Sequence, residues 1–213
     1  MTKQIYPYQY HYIAEQMYQL HNIYKSVNDP ETVKHQMADV LHNIRNVFEA
    51  VTPELEASLE TLKDIKLSKY QIEKVLNVVS QYVIPFQMPS SKQIEKQFRK
   101  VKKLKVPNFS SEDLLASTFL GWNDPSSNRR YMLYYDESDQ LKGFYGELSP
   151  KTVKGFCSIC NKESKVSLFL HKSKESGDGM YTKKGDYICY DSQTCNRQLT
   201  DLTKFYHFVN KLN

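Results

Sequence analysis

The sequence predicts an α+β protein, an N-terminal four-helix bundle followed by an α/β domain, and three observations carry that prediction. All seven glycines and all four cysteines of the 213 residues lie beyond residue 120, so the first stretch has the glycine-poor composition of packed helices. Charge divides the same way: residues 1–90 sum to −2 and residues 91–213 to +7. After residue 107 the pattern changes, and residues 130–135 and 141–146 are rich in aromatic and strand-favouring residues. With 40% hydrophobic residues the chain can bury a core without disulfide staples and is not a disordered polymer. No apolar run approaches the ~20 residues that cross a bilayer. The opening MTKQIYPYQYHYIAEQ has no basic run followed by an apolar stretch, so no secretory leader and a cytoplasmic location are expected.

In residues 7–27, Ile13, Met17, Leu20, Tyr24 and Val27 recur at helical spacing. Asp29-Pro30 is a start signal for a second helix, because the carboxylate accepts from free amides and proline has no amide to leave unpaired. Its stripe is Val33, Met37, Val40, Leu41, Ile44 and Phe48. Thr52-Pro53 repeats the signal before Leu55, Leu59 and Leu62. Ser68 and Gln71 fit a capping box, with Leu67 and Ile72 as its hydrophobic staple, ahead of Val75, Leu76, Val79 and Val83. His11, His21, His35 and His42 are scattered over this half without a ligand spacing and read as structural or exposed. The predicted bundle spans residues 1–84, and residues 85–213 form the second domain, the boundary falling at Pro85 and Pro89.

A basic helix is predicted over 91–105, capped by Ser90 and ended by Val106-Pro107, with Ile94, Phe98, Val101 and Leu104 on one face. It carries Lys92, Lys96, Arg99, Lys100, Lys102, Lys103 and Lys105 against Glu95 alone. Such a run is either a solvated face or an electrostatic footprint for RNA, a ribosome surface or an acidic partner. Two strands follow, 130–135 and 141–146, joined at Asp136-Glu137-Ser138-Asp139. A further strand at 166–170, a flexible loop at 172–179 and a helix over 200–212 complete the expected elements. That last helix is expected to bury Leu202, Phe205, Val209 and Leu212, with Phe208 off the stripe.

The four cysteines are spaced C-x2-C, 28 residues, C-x5-C. A C-x2-C turn aims two thiolates at one point, and a second pair can close a tetrahedral site around it. Cys157, Cys160, Cys189 and Cys195 are therefore expected to hold one structural Zn2+ with no open coordination position. A redox C-x2-C leaves the second pair unexplained, and two disulfides do not suit a cytosolic chain. His171 and His207 are possible substitute ligands. Knuckle, hairpin, knuckle and terminal helix in that order make a treble-clef-like zinc fold. No G-x-S-x-G, P-loop, H-E-x-x-H or Rossmann glycine pattern is present, so no catalytic residue is proposed and an enzyme is not expected.

The runs Val153-Lys154-Gly155-Phe156-Cys157-Ser158-Ile159-Cys160-Asn161-Lys162 and Lys183-Lys184-Gly185-Asp186-Tyr187-Ile188-Cys189 resemble the FusB-type fusidic acid resistance proteins. Gly121-Trp122-Asn123, Ser127-Asn128-Arg129 and the basic segment ending in Lys-Val-Pro share the likeness, which weakens over residues 1–70. The resemblance implies a helical N-terminal domain, a treble-clef zinc domain and binding to elongation factor G by the second domain. It also implies target protection: the factor is released from fusidic-acid-stalled ribosomes, translation resumes and the drug is unaltered. Matched position by position, it places the zinc ligands at the same four cysteines and the factor-binding surface at Phe156, Lys184, Tyr187 and Phe208. The expected partners are elongation factor G and its ribosome-bound complex, with the chain a monomer, no membrane involved and nucleic-acid contact open. The alternative is a zinc-containing RNA- or ribosome-binding protein that acts through the basic segment 91–105.

Overall fold

The computed structural model describes residues 4–174 and 181–212, and the chain divides into two compact units, Met1–Ile84 and Pro85–Asn213. In the first unit, α1 (Pro7–Ser26), α2 (Pro30–Arg45), α3 (Pro53–Glu60) and α4 (Lys69–Ser80) follow one another, with a single 3-10 turn at Thr61–Lys63. Their starts are fixed locally. Asp29 accepts from the Thr32 amide, Thr52 from the Leu55 amide, and Ser68 and Gln71 complete a reciprocal capping box. The apolar stripes converge, so Ile13, Met17, Leu20, Ile44, Leu55, Leu59, Leu62, Ile72 and Val79 are fully buried, α1 packing on α2 and α4. A parallel bridge between Ile5 and Val83 ties the two ends of the unit together. His21 Nδ1 lies 2.7 Å from the Leu67 carbonyl oxygen, His11 is buried, and His35 and His42 are exposed, as a structural reading of these residues requires.

The second unit is one antiparallel sheet covered on both faces. Its strands are β1 (Leu120–Asp124), β2 (Arg129–Tyr135), β3 (Leu141–Leu148), β4 (Val153–Phe156), β5 (Glu163–Lys174) and β6 (Tyr181–Cys189). The order is β1-β2-β3-β5-β4, and β6 lies along the opposite side of β5. Val166 is flanked by Val153 of β4 and Cys189 of β6, which sets the register at the cysteine end of the sheet. Alternation along β2 sends Tyr131 and Leu133 to one face and Arg130, Met132 and Tyr134 to the other. The first face packs Trp122, Tyr131 and Leu133 against Ile94 and Phe98 of the segment that begins with α5 (Ser91–Gln97). The second face meets α7 (Ser192–Gln198) and α8 (Thr203–Leu212), where Phe205 stacks on Phe119 and meets Tyr134 edge-on. A short helix, α6 (Ser111–Ala116), leads into β1.

Three expectations are corrected here. The helix predicted over 91–105 ends at Gln97, where Phe98 leaves helical geometry with φ −117° and ψ 36°. Continuing it would stack Lys96 with Lys100 and Arg99 with Lys102 and Lys103, like charges one turn apart that destabilise a helix. The chain turns instead, so that Phe98 is buried edge-on to Trp122 and Tyr131, with Val101, Leu104 and Val106 against the same core. The strand at 166–170 extends over Glu163–Lys174, so 172–174 belong to β5 rather than to a loop. The rest of the expected flexible loop, up to residue 179, lies outside the described residues. Finally, Phe208 is not off the stripe of α8: it is 1% exposed and packs against Phe144 and Phe169. Phe205, Phe208, Val209 and Leu212 together give the i, i+3, i+4, i+7 pattern, of which Phe208 is part of the centre.

Candidate metal centre and partner surface

The sheet register and α7 bring the two cysteine pairs to one point. The first knuckle is a turn between β4 and β5, closed by the Asn161 amide donating to the Cys157 carbonyl at 2.9 Å, with Asn161 in the left-handed region at φ 55°. The second pair brackets the end of β6 and the first turns of α7, whose start is fixed by the Asp191 carboxylate accepting from the Gln193 and Thr194 amides. Burial pushes that carboxyl's pKa up, but hydrogen bonds from Thr194 and Gln193 hold it below its ordinary value.

All four Sγ atoms are buried and lie within 4.8 Å of one another, with 3.7 Å between Cys157 and Cys195 and again between Cys160 and Cys189. Tetrahedral zinc with Zn–S bonds of ~2.3 Å needs sulfurs ~3.8 Å apart, so the donor set fits the ion in both chemistry and size. The amides of Ile159 and Cys189 each donate to Cys157 Sγ at 3.3 Å, the orientation that supports a thiolate. Neighbouring thiols hydrogen-bond Cys157 well below the ordinary thiol range and push Cys195 well above it, because four sulfurs this close cannot all ionise without a cation among them. The four cysteines are thus positioned to bind one metal ion, and four sulfur donors leave no coordination position for a water nucleophile. His171 and His207 are not in the cluster: His171 Nδ1 lies 2.7 Å from the Tyr145 carbonyl oxygen, and His207 is exposed.

Sequence reasoning missed the support behind the knuckles. Arg130 is 1% exposed, and no carboxylate lies within ion-pair distance of it among the described residues. Its guanidinium donates to Asn123 Oδ1 at 2.5 Å, to Ser192 Oγ at 2.9 Å, to the Cys189 carbonyl at 3.3 Å and to the Tyr190 carbonyl. Burial lowers its pKa, opposed by the negative charge of Cys195, Asp191, Cys189 and Cys157, so the positive charge faces the sulfur cluster. Ser192 Oγ donates onward to the Gly121 carbonyl at 2.7 Å, and a Cβ at Gly121 would stand 2.8 Å from that hydroxyl. Asn196 closes the set. Its Oδ1 accepts from the amides of Thr118 and Phe119, and its Nδ2 donates to the carbonyls of Phe119 and Ser192. The one signal in the sequence was an arginine followed by an unbroken aromatic and apolar run, Tyr131 to Tyr135, and it has no spacing rule attached.

The chain's resemblance-based surface divides. Phe156, at the end of β4, is 70% exposed and Tyr187, on β6, is 44% exposed. The Ser158 amide donates to the Tyr187 carbonyl at 2.9 Å, which brings the turn after Phe156 beside Tyr187. Strand alternation puts Lys184 on the opposite face of β6 from Tyr187, where its pairing partner is His171. Phe208 lies beneath that same face in the core.

The description "Elongation factor G-binding protein, N-terminal" matches residues 4–87, and "FBP C-terminal treble-clef zinc-finger" matches residues 93–207, more than half of the chain. The chain belongs to the elongation factor G-binding protein family. Among solved structures, the fusidic acid resistance protein FusC is 43% identical, with a TM-score of 0.93, and the alignment covers 100% of this chain and 99% of that one. No curated protein sequence matches the chain. The family's zinc finger accounts for the four-cysteine cluster, so the resident ion is one Zn2+. Among the described residues no helix is long and apolar enough to cross a membrane.

Proposed function

We propose that this chain protects its host's translation from fusidic acid by binding elongation factor G and promoting release of the factor from drug-stalled ribosomes. The observation that carries the reading is the exposed pair Phe156 and Tyr187, held on the rim of a rigid metal knuckle in a chain of this family. Exposed aromatics on a fixed scaffold lose little conformational entropy on docking and form the usual centre of a protein interface. Residues 85–213 are the factor-binding domain in this proposal, with residues 1–84 as a supporting or docking bundle. Lys184 supplies a cation on the opposite face of the edge strand β6 from Tyr187. Phe208 acts by positioning β5 and β6 from beneath, since a side chain buried to this degree does not itself touch a partner. Release follows if the chain binds one conformational state of the factor more tightly than the ribosome-bound one, because binding shifts a population only through differential affinity. The reading uses no covalent chemistry, and Zn2+ serves by holding the knuckles in place.

Isothermal titration calorimetry against purified elongation factor G tests the contact. One-to-one binding that weakens about thirty-fold in Phe156→Ala and in Tyr187→Ala, as loss of a ~2 kcal/mol anchor demands, is expected. Unchanged affinity in both variants would remove the aromatic pair from the interface. Sedimentation of fusidic-acid-stalled ribosomes with and without the chain tests release, and the factor staying in the pellet would sink that step. Recovering the drug with altered mass would replace target protection by drug modification.

A further inference from the structure

The segment 92–105 is not used by the factor-binding reading, and its construction is unusual within the molecule. It carries seven cations and one acid, and all seven cations are exposed. Elsewhere in the second unit five lysines find carboxylates: Lys142 pairs with Asp136, Lys154 with Glu163, Lys172 and Lys183 with Glu147, and Lys211 with Asp186. None of the seven forms an ion pair among the described residues. Mutual repulsion therefore works against the fold here, offset only in part by Glu95 within the run and by the Asp124 carboxylate that faces Lys105.

The segment is nevertheless not a loose tail. Phe98 is buried, and Val101, Leu104 and Val106 pack against the Trp122–Tyr131 core, so an inward apolar residue recurs every two or three positions. Between these anchors every outward residue after Gln97 is a cation: Arg99 and Lys100, then Lys102 and Lys103, then Lys105. Lys103 takes a left-handed backbone, φ 58°, at the turn that lets Leu104 return to the core while its neighbours stay outside. The result is a fixed row of positive charge with no direct ion pair, in which only Lys105 feels a nearby carboxylate, that of Asp124.

We propose that this row is a contact surface for the phosphate backbone of RNA. Two observations favour RNA over an acidic protein. No large apolar side chain within 92–105 is exposed, and the groove beside Arg99 and Lys103 is bordered by one large exposed apolar side chain, Met88, and by no exposed aromatic ring, so the row lacks the aromatic anchors that a protein interface is built around. Cations alone are what backbone neutralisation needs, and such contacts carry affinity without base recognition.

The test is fluorescence anisotropy of a labelled oligouridylate against the zinc-loaded chain over a salt series, with polyglutamate as competitor. The expected result is binding that weakens about a hundred-fold over a four-fold rise in salt, from ~0.7 counterions released per phosphate at about five contacts. The combined variant Lys96→Gln, Lys100→Gln, Lys102→Gln and Lys105→Gln should lose most of that affinity while its thermal midpoint is kept or rises as repulsion is relieved, and its zinc and its calorimetric binding to elongation factor G are kept. Phe156→Ala should keep RNA binding, which separates this surface from the aromatic one. No binding at low salt, equal binding by the combined variant, or displacement by polyglutamate as effective as by unlabelled RNA would each overturn the proposal.

Discussion

The two units of this chain are held together by different means. In Met1–Ile84 each helix carries its own start signal and apolar stripe, and the groups that satisfy each other at a cap are three residues apart, as in Ser68 with Gln71. In Pro85–Asn213 the decisive contacts join distant positions: Cys157 meets Cys195 across 38 residues, and Arg130 meets Ser192 across 62. The first unit rests on apolar burial and local caps, whereas the second adds to its own aromatic cores one buried polar centre of four cysteines, Arg130, Ser192 and Asn196. That centre fixes the turn after Phe156 and the end of β6, and so holds the exposed Phe156 and Tyr187 in place.

The largest expected break in this contrast comes from removing the metal. Structural zinc contributes ~10–16 kcal/mol of apparent binding free energy in small sites, so chelation, or Cys157→Ser, should unfold the second unit and leave the first helical. Circular dichroism with zinc quantitation reads this; full zinc occupancy and an unchanged thermal midpoint in Cys157→Ser would disprove the ligand set.

Next in size are two buried side chains of the second unit. Arg130→Met takes the guanidinium donors from the Cys189 carbonyl and Asn123 Oδ1 and removes the positive charge facing the sulfurs, a loss of about 3–5 kcal/mol. Phe208→Ala should cost a similar ~3–5 kcal/mol by opening a void between Phe144 and Phe169. Denaturant midpoints of the holo chain measure both. If Phe208→Ala is as stable as the parent yet fails to bind elongation factor G, the residue reaches the partner directly and the core assignment is wrong.

A smaller effect sharpens the comparison from the other side. Ser68→Ala in the first unit removes a cap that accepts from the Gln71 amide, worth about 1 kcal/mol, and leaves zinc affinity untouched. A change in zinc affinity would mean the units do not act separately. The smallest effect on stability belongs to Phe156→Ala, within ~0.5 kcal/mol for a surface side chain, measured against its large expected loss of factor binding.

Much of this molecule is written locally in its chain. Proline after Asp29, proline after Thr52 and the Ser68–Gln71 box start helices whichever way the rest folds, because caps satisfy amides within one turn. The cysteine spacing likewise declares a single four-sulfur site before any fold is known, since a C-x2-C turn has few uses and only one second pair exists. Composition and local signals thus determined the helical half, the strand-rich half and the zinc chemistry. The tertiary structure decided where the basic helix stops: like charges one turn apart weaken its continuation, and burial of Phe98 against Trp122 and Tyr131 sets the turn after Gln97. It also decided that Phe208 faces the core, that Phe156 and Tyr187 share a rim, and that Arg130 stands behind the knuckles. Each of these depends on which surfaces meet across a sheet, and a one-dimensional pattern records the periodicity of an element but not the identity of what packs against it.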